Sequence, residues 1–166
     1  LTYHQKNVII LAKQYLPHNI KSKINPHNLE AERIIMELKI NIKEGITLIS
    51  LSDCPGGANF LAEVLAQIAA GGTDVDMIAL TPSTSEKTAM SFTVSDEDFA
   101  KVLAVTAALQ KENKALKVSV SGGYAKITAG SGKMDGCPGV AARIFAALSA
   151  VEIAMVTTAL TEISFL

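Results

Sequence analysis

The sequence has no tryptophan, and aromatic residues of all kinds make up 5% of it. A sheet that stacks nucleic-acid bases needs paired aromatics on its central strands and a basic face. With a net charge of −1, this chain offers neither. The same balance leaves no electrostatic footprint for an anionic membrane surface. Cysteine is scarce too. Cys54 and Cys137 stand far apart without a CxxC partner, and the three histidines, His4, His18 and His27, all fall in the first 27 residues. No metal-ligand spacing and no disulfide framework follow from that distribution, and a reduced, cytoplasmic protein is expected. No apolar run approaches the ~20 residues of a membrane span, and no secretory signal is visible. Charge is also thin: Asp, Glu, Lys and Arg together are 19%, against 49% hydrophobic residues in 166. A surface so poor in charge tends to be covered, so an oligomer is expected. Because the chain begins at Leu1, it is expected to be a piece of a longer protein.

The hydrophobic pattern gives the order of elements. Val8, Leu11, Ala12 and Tyr15 share one helical face and Pro17 follows as a stop. Residues 21–30 read as a polar linker, and Ile34 to Ile42 as a strand. Ile46 to Leu51 predicts a buried strand and Asp53 to Gly57 a turn. Phe60, Leu61, Val64, Leu65 and Ile68 predict an amphipathic helix that Gly71-Gly72 ends. Strands are expected at Val75–Leu80 and Ala89–Val94. Ser95 and Asp98 form a capping-box-like start to a helix burying Phe99, Val102, Leu103, Thr106 and Leu109, and a strand follows at Leu116–Val120. This is βαββαβ, the ferredoxin-like order. A second pass opens with a strand at Tyr124–Thr128 and a Gly-rich loop at Gly130–Gly136. Pro138 then precedes a helix burying Val140, Ile144, Ala147, Leu148 and Val151, and strands follow at Ile153–Thr157 and Thr161–Leu166.

The two passes form an internal repeat. Cys-Pro-Gly stands at 54–56 and at 137–139, each before an apolar helix. Val75-Asp76-Met77-Ile78 is matched by Ile153-Ala154-Met155-Val156, and Met90-Ser91-Phe92 by Ile163-Ser164-Phe165. The fold class is therefore α+β, two ferredoxin-like units, the second incomplete at its C-terminus. The expected domains are residues 1–30 as a preceding tail and linker, 31–121 as the first unit with a preceding strand, and 122–166 as the second. Since the second unit lacks its last helix, Ile34–Ile42 is the candidate strand to complete it.

Asp53-Cys54-Pro55-Gly56, Val75-Asp76-Met77-Ile78, Ser91-Phe92-Thr93-Val94 and Pro138-Gly139-Val140-Ala141-Ala142-Arg143 occur in an order that resembles the C-terminal half of aspartate kinases. In that family such motifs mark tandem ACT domains, and residues from His4 through Leu11-Ala12-Lys13-Gln14-Tyr15 to Ser22 resemble the end of the kinase domain. The resemblance implies a regulatory module that binds an end-product amino acid, lysine or threonine or both, for feedback control of aspartate phosphorylation. It implies a homodimer of ACT pairs and a kinase domain as partners, without nucleic acid or membrane. The family's Lys-Phe-Gly-Gly-Thr-Ser type phosphate loop is absent, so no catalytic residue is expected in this chain. ATP and Mg2+ would belong to the kinase portion of the parent. Two departures bear on the effector: Leu80-Thr81-Pro82-Ser83 stands where the family carries Gln-Asn-Val-Ser, and Ala159-Leu160 where it carries Ser-Glu.

A free amino acid needs an acceptor for its ammonium and donors for its carboxylate. A helix N-terminus supplies the donors. The candidate effector contacts are Asp53, Pro55, Gly56 and Asn59 in the first loop, with Asp74, Val75 and Asp76 in the following strand. The pocket is expected at Asp53–Asn59, closed by the Asp74–Asp76 strand and by a second unit of this kind. Asp135, Pro138, Gly139 and Val140 form the weaker counterpart in the second unit, which has Ala154 where the first has Asp76. Asp53 is equally a turn former and Asn59 a helix cap. The Gly130-Ser131-Gly132-Lys133 loop lacks phosphate-loop spacing. Met77 and Met155 are expected in the core. A module that only dimerises is the alternative function. A small ferredoxin-like enzyme is set aside, since no His, Arg and carboxylate set clusters in a loop.

Overall fold

The computed structural model describes residues 37–81 and 87–166. The expected N-terminal helix and linker, with their histidines, lie outside the described residues. Those residues form six strands and three helices: β1 Lys39–Pro55, α1 Ala58–Ala70, β2 Ile78–Thr81, β3 Lys87–Ser95, α2 Phe99–Glu112, β4 Lys117–Gly130, α3 Val140–Ala147, β5 Val156–Thr158 and β6 Glu162–Phe165. They divide into two compact units, residues 43–125, and residues 37–42 together with 126–166.

In the unit of residues 43–125 the strand order is β2-β3-β1-β4. β3 runs antiparallel to both β1 and β2, with Ile49 opposite Phe92 and Ile78 opposite the same Phe92. Helices α1 and α2 complete the ferredoxin-like order. Period-2 alternation sends Ile49, Leu51, Met90, Phe92 and Val94 to one core, against Val64 and Ile68 of α1 and Val102 and Leu109 of α2. Phe92 is fully buried, and truncating such a ring to Ala costs about 3–5 kcal/mol.

The other unit has the order β1-β4-β6-β5. Ala129, Ile163 and Phe165 pack with Val140, Ile144, Leu148 and Met134, and Leu38 and Ile40 join that core. The first residues of β1 thus supply its fourth strand. The expected domain division at 121/122, with residues 31–42 in the first unit, differs from the division seen at 42/43 and 125/126.

The repeat extends to individual hydrogen bonds. Ser50 and Ser91 stand opposite and share a hydrogen bond of 2.9 Å, and so do Thr128 and Ser164. Asp76 N–H donates to Thr93 O and Thr93 N–H to Met77 O, just as Ala154 N–H donates to Leu166 O and Leu166 N–H to Met155 O. Met77 and Met155 are both buried. One bond is not repeated. Met77 N–H donates at 3.0 Å to Thr93 Oγ1, whereas Leu166 has no hydroxyl to offer Met155.

Several element boundaries differ from the sequence reading. Asp53-Cys54-Pro55 is not a turn: β1 continues through it with a register irregularity between Leu51 and Cys54. The strands expected at 116–120 and 124–128 are one strand, β4, running through Gly122-Gly123. A short 3-10 turn, Asp96–Asp98, intervenes before α2, with Ser95 Oγ accepting from Glu97 N–H. β2 begins at Ile78 rather than Val75, and β5 at Val156 rather than Ile153. Helix α3 ends at Ala147, short of Leu148 and Val151.

Candidate functional site

β1 leads into α1 across Gly56-Gly57. Gly57 is the N-cap at φ 104°, ψ 157°, a conformation open to glycine, and no side chain caps the first turn. Asn59 is therefore not the cap. It lies inside the first turn and is exposed, as are Pro55 and Gly56. The start of α1 keeps its first-turn amides without a side-chain acceptor from the cap, which is the arrangement that favours an anion.

Asp53 sits at the register irregularity with φ 57°, left-handed for a residue with a side chain. Its carboxylate is held from both sides. Lys117 Nζ reaches Oδ2 at 2.8 Å and Lys87 Nζ reaches Oδ1 at 3.4 Å. The lysines open β4 and β3, so three strand ends meet at one carboxylate. The hydrogen bond from Lys117, then that from Lys87, and the positive charge of both, hold the Asp53 carboxyl below the usual range. The same hydrogen bond and the charge of Asp53 raise Lys117. Next to them, burial pushes the Cys54 thiol up, as expected of a structural cysteine.

The other candidate acids lie elsewhere. Asp74 and Asp76 are exposed in the irregular segment before β2, and do not alternate along a strand as expected. Val75 packs against the first core. Asp76 pairs through its backbone with Thr93, while Asp53 is beside Cys54, which stands opposite Thr88. Five residues of β3 separate those levels, about 17 Å at the usual strand rise. The structure thus does not close one pocket from Asp53 and Asp74–Asp76 of the same unit. They occupy opposite ends of one sheet.

In the second unit the counterpart loop is built differently. Counting from the matched hydroxyl pairs, the residue equivalent to Asp53 is Ser131, not Asp135. β4 ends at Gly130, and the loop is tied by Ser131 N–H to Thr161 O, Met134 N–H to Ser131 O and Cys137 N–H to Met134 O. Met134 is buried in the second core. Asp135, Pro138 and Gly139 are exposed, Gly139 caps α3 at φ 95°, and Val140 is buried beneath it. Lys133 pairs with Glu37. Among the described residues no group of three or more His, Cys, Asp and Glu could hold a metal ion, and no helix is long and apolar enough to cross a membrane.

The fold defines a class: a tandem pair of ferredoxin-like ACT units. No protein-family model matches the sequence. An aspartokinase of Geobacillus stearothermophilus is 27% identical over 163 residues, 92% of this chain and 39% of the relative. An aspartate kinase structure from Synechocystis is 25% identical with a TM-score of 0.69, over 76% of this chain and 23% of that one. The regulatory subunit of aspartate kinase from Thermus thermophilus, in its ligand-free form, has a TM-score of 0.68 at 22% identity, over 76% of this chain and 84% of that one. The last likeness is one of fold. Together they show that this chain is similar to the regulatory region of aspartate kinases, and it spans about two fifths of the length of the curated relative.

Proposed function

We propose that this chain is the amino-acid-sensing, regulatory part of an aspartate kinase, binding lysine, threonine or both for feedback control of aspartate phosphorylation. The carrying observation is the asymmetry between the two units. At matched positions the first has Asp53 and Asp76, and the second has Ser131 and Ala154. Asp53 stands beside a helix start without a side-chain cap, and an acid there with a second acid at Asp76 suits the two charged ends of a zwitterion. Because Asp53 and Asp76 lie at opposite ends of their sheet, a second copy of the chain completes the pocket by bringing its Asp74–Asp76 segment to the Asp53–Asn59 loop. Binding would bias the paired units between arrangements and so act on a kinase domain that carries ATP and Mg2+.

Titration calorimetry against the twenty amino acids tests this. Asp76→Ala should weaken binding by about ten- to a hundredfold, the worth of a charge-assisted hydrogen bond. Equal affinity for wild type and variant at matched folding rules out the Asp76 contact, and no binding of any amino acid rules out the reading. The second reading, a module that only dimerises, is favoured by Ile78 and Leu80 on the edge strand β2, 41% and 51% exposed. It predicts a dimer in sedimentation with no amino acid bound.

A further inference from the structure

The Asp53 carboxylate already has two ammonium partners, one on each oxygen. Both come from the chain itself, and both lysines are well exposed, 56% for Lys87 and 76% for Lys117, while Asp53 is 28% exposed. They are anchored at strand starts, on β3 and β4, so their backbones stay put while the long stems can swing into solvent. An amino acid approaching Asp53 therefore meets an occupied acceptor. Its α-ammonium is chemically the same group as the one it must displace, and two lysines against one carboxylate leave local charge that repels it.

Resting on the effector reading above, we propose that Lys87 and Lys117 are tethered competitors for the ammonium end of the effector. They hold Asp53 when the site is empty and swing away when an amino acid binds. The competition weakens the site. The second unit has Ser131 at the place of Asp53, and so has no acid there for such an exchange.

The test uses the full chain with L-lysine and L-threonine as probes, in calorimetric titrations of wild type and the Lys87→Met/Lys117→Met double variant. Both side chains are exposed, so the fold should be kept, as circular dichroism would show. Exposed ion pairs are weak, so removing both competitors should tighten binding only by about two- to tenfold. Binding by the variant where wild type shows none supports the proposal equally. Wild type and variant binding alike, or the variant binding more weakly, overturns the competitor role and leaves the effector reading standing. Absence of binding by both overturns the two together. A ligand-free measurement stands beside these: carboxyl NMR should find Asp53 titrating at higher pH in the double variant, and an unchanged titration overturns the pairing itself.

Discussion

Thr73 is the residue whose replacement should most clearly improve this protein. Helix α1 ends in a paired-bond C-terminal motif. Gly72, at φ 71°, donates its N–H to Ala69 O, and Thr73 N–H reaches Ile68 O at 3.4 Å. In such an ending the residue in the Thr73 position usually makes an apolar contact back to the last turn. Here it is 6% exposed, and its Oγ1 is the buried side-chain oxygen without a hydrogen-bond partner among the described residues. An unpaired buried hydroxyl costs about 1–3 kcal/mol, and a buried methyl in its place contributes about 0.8 kcal/mol. Valine keeps the β-branched shape, so χ1 restriction is unchanged. Thr73→Val should therefore stabilise the chain by about 1–3 kcal/mol. In urea titrations the midpoint should rise with the slope unchanged, and the melting temperature should rise by about 2–4 °C per kcal/mol. Thr73→Ser, which keeps the hydroxyl and loses the methyl, should fall below wild type. A Thr73→Val midpoint at or below wild type would refute the reasoning, because the hydroxyl would then have a partner worth keeping.

The same substitution should act in the opposite direction at Thr93. Its Oγ1 accepts the Met77 N–H at 3.0 Å in the buried core, so Thr93→Val orphans that amide and should cost about 1–3 kcal/mol in the same urea titration. A pH effect follows from Asp53, whose carboxyl is held below its usual range in the folded chain. The unfolded chain binds that proton more readily. The contribution is thus present above the unfolded pKa and lost as pH falls through the lower folded value. Asp53→Asn should flatten the acid limb of the stability–pH curve from the ordinary carboxylate range downward, and a limb unchanged in the variant would count against the lysine pairing.

The order of elements was readable because the apolar periodicities are strong: Ile49, Leu51, Met90, Phe92 and Val94 alternate, and Val64 and Ile68 recur at helical spacing. The repeat was readable from three short matches in order. What misled was glycine and proline. Gly122-Gly123 read as a break between strands, yet a Cβ on Gly122 would lie 3.3 Å from Thr47 Oγ1. That glycine marks a close approach of β4 to the Thr47 side chain of β1 inside a strand rather than its end. Pro55 closes β1 at its last residue, where a missing N–H costs the ladder little. The lysine pair on Asp53 had no local signal, because Lys87 and Lys117 reach it only through the strand order. Likewise Asp135 looked equivalent to Asp53 by its nearness to Cys-Pro-Gly, but the longer second loop shifts the match to Ser131.

The unit of residues 43–125 is continuous in sequence, while its neighbour is assembled from residues 37–42 and 126–166. During synthesis the continuous unit can fold as soon as Ala125 has left the ribosome. The strand residues Lys39–Ile42 must then wait, exposed, for a partner not yet made. Closing a gap that long in a flexible chain carries an entropic cost that grows with its length. A folded insert shortens the gap by bringing the ends of β1 and β4 side by side in advance. The discontinuous unit therefore inherits its chance of folding from the inserted one, and a substitution that slows the insert delays both.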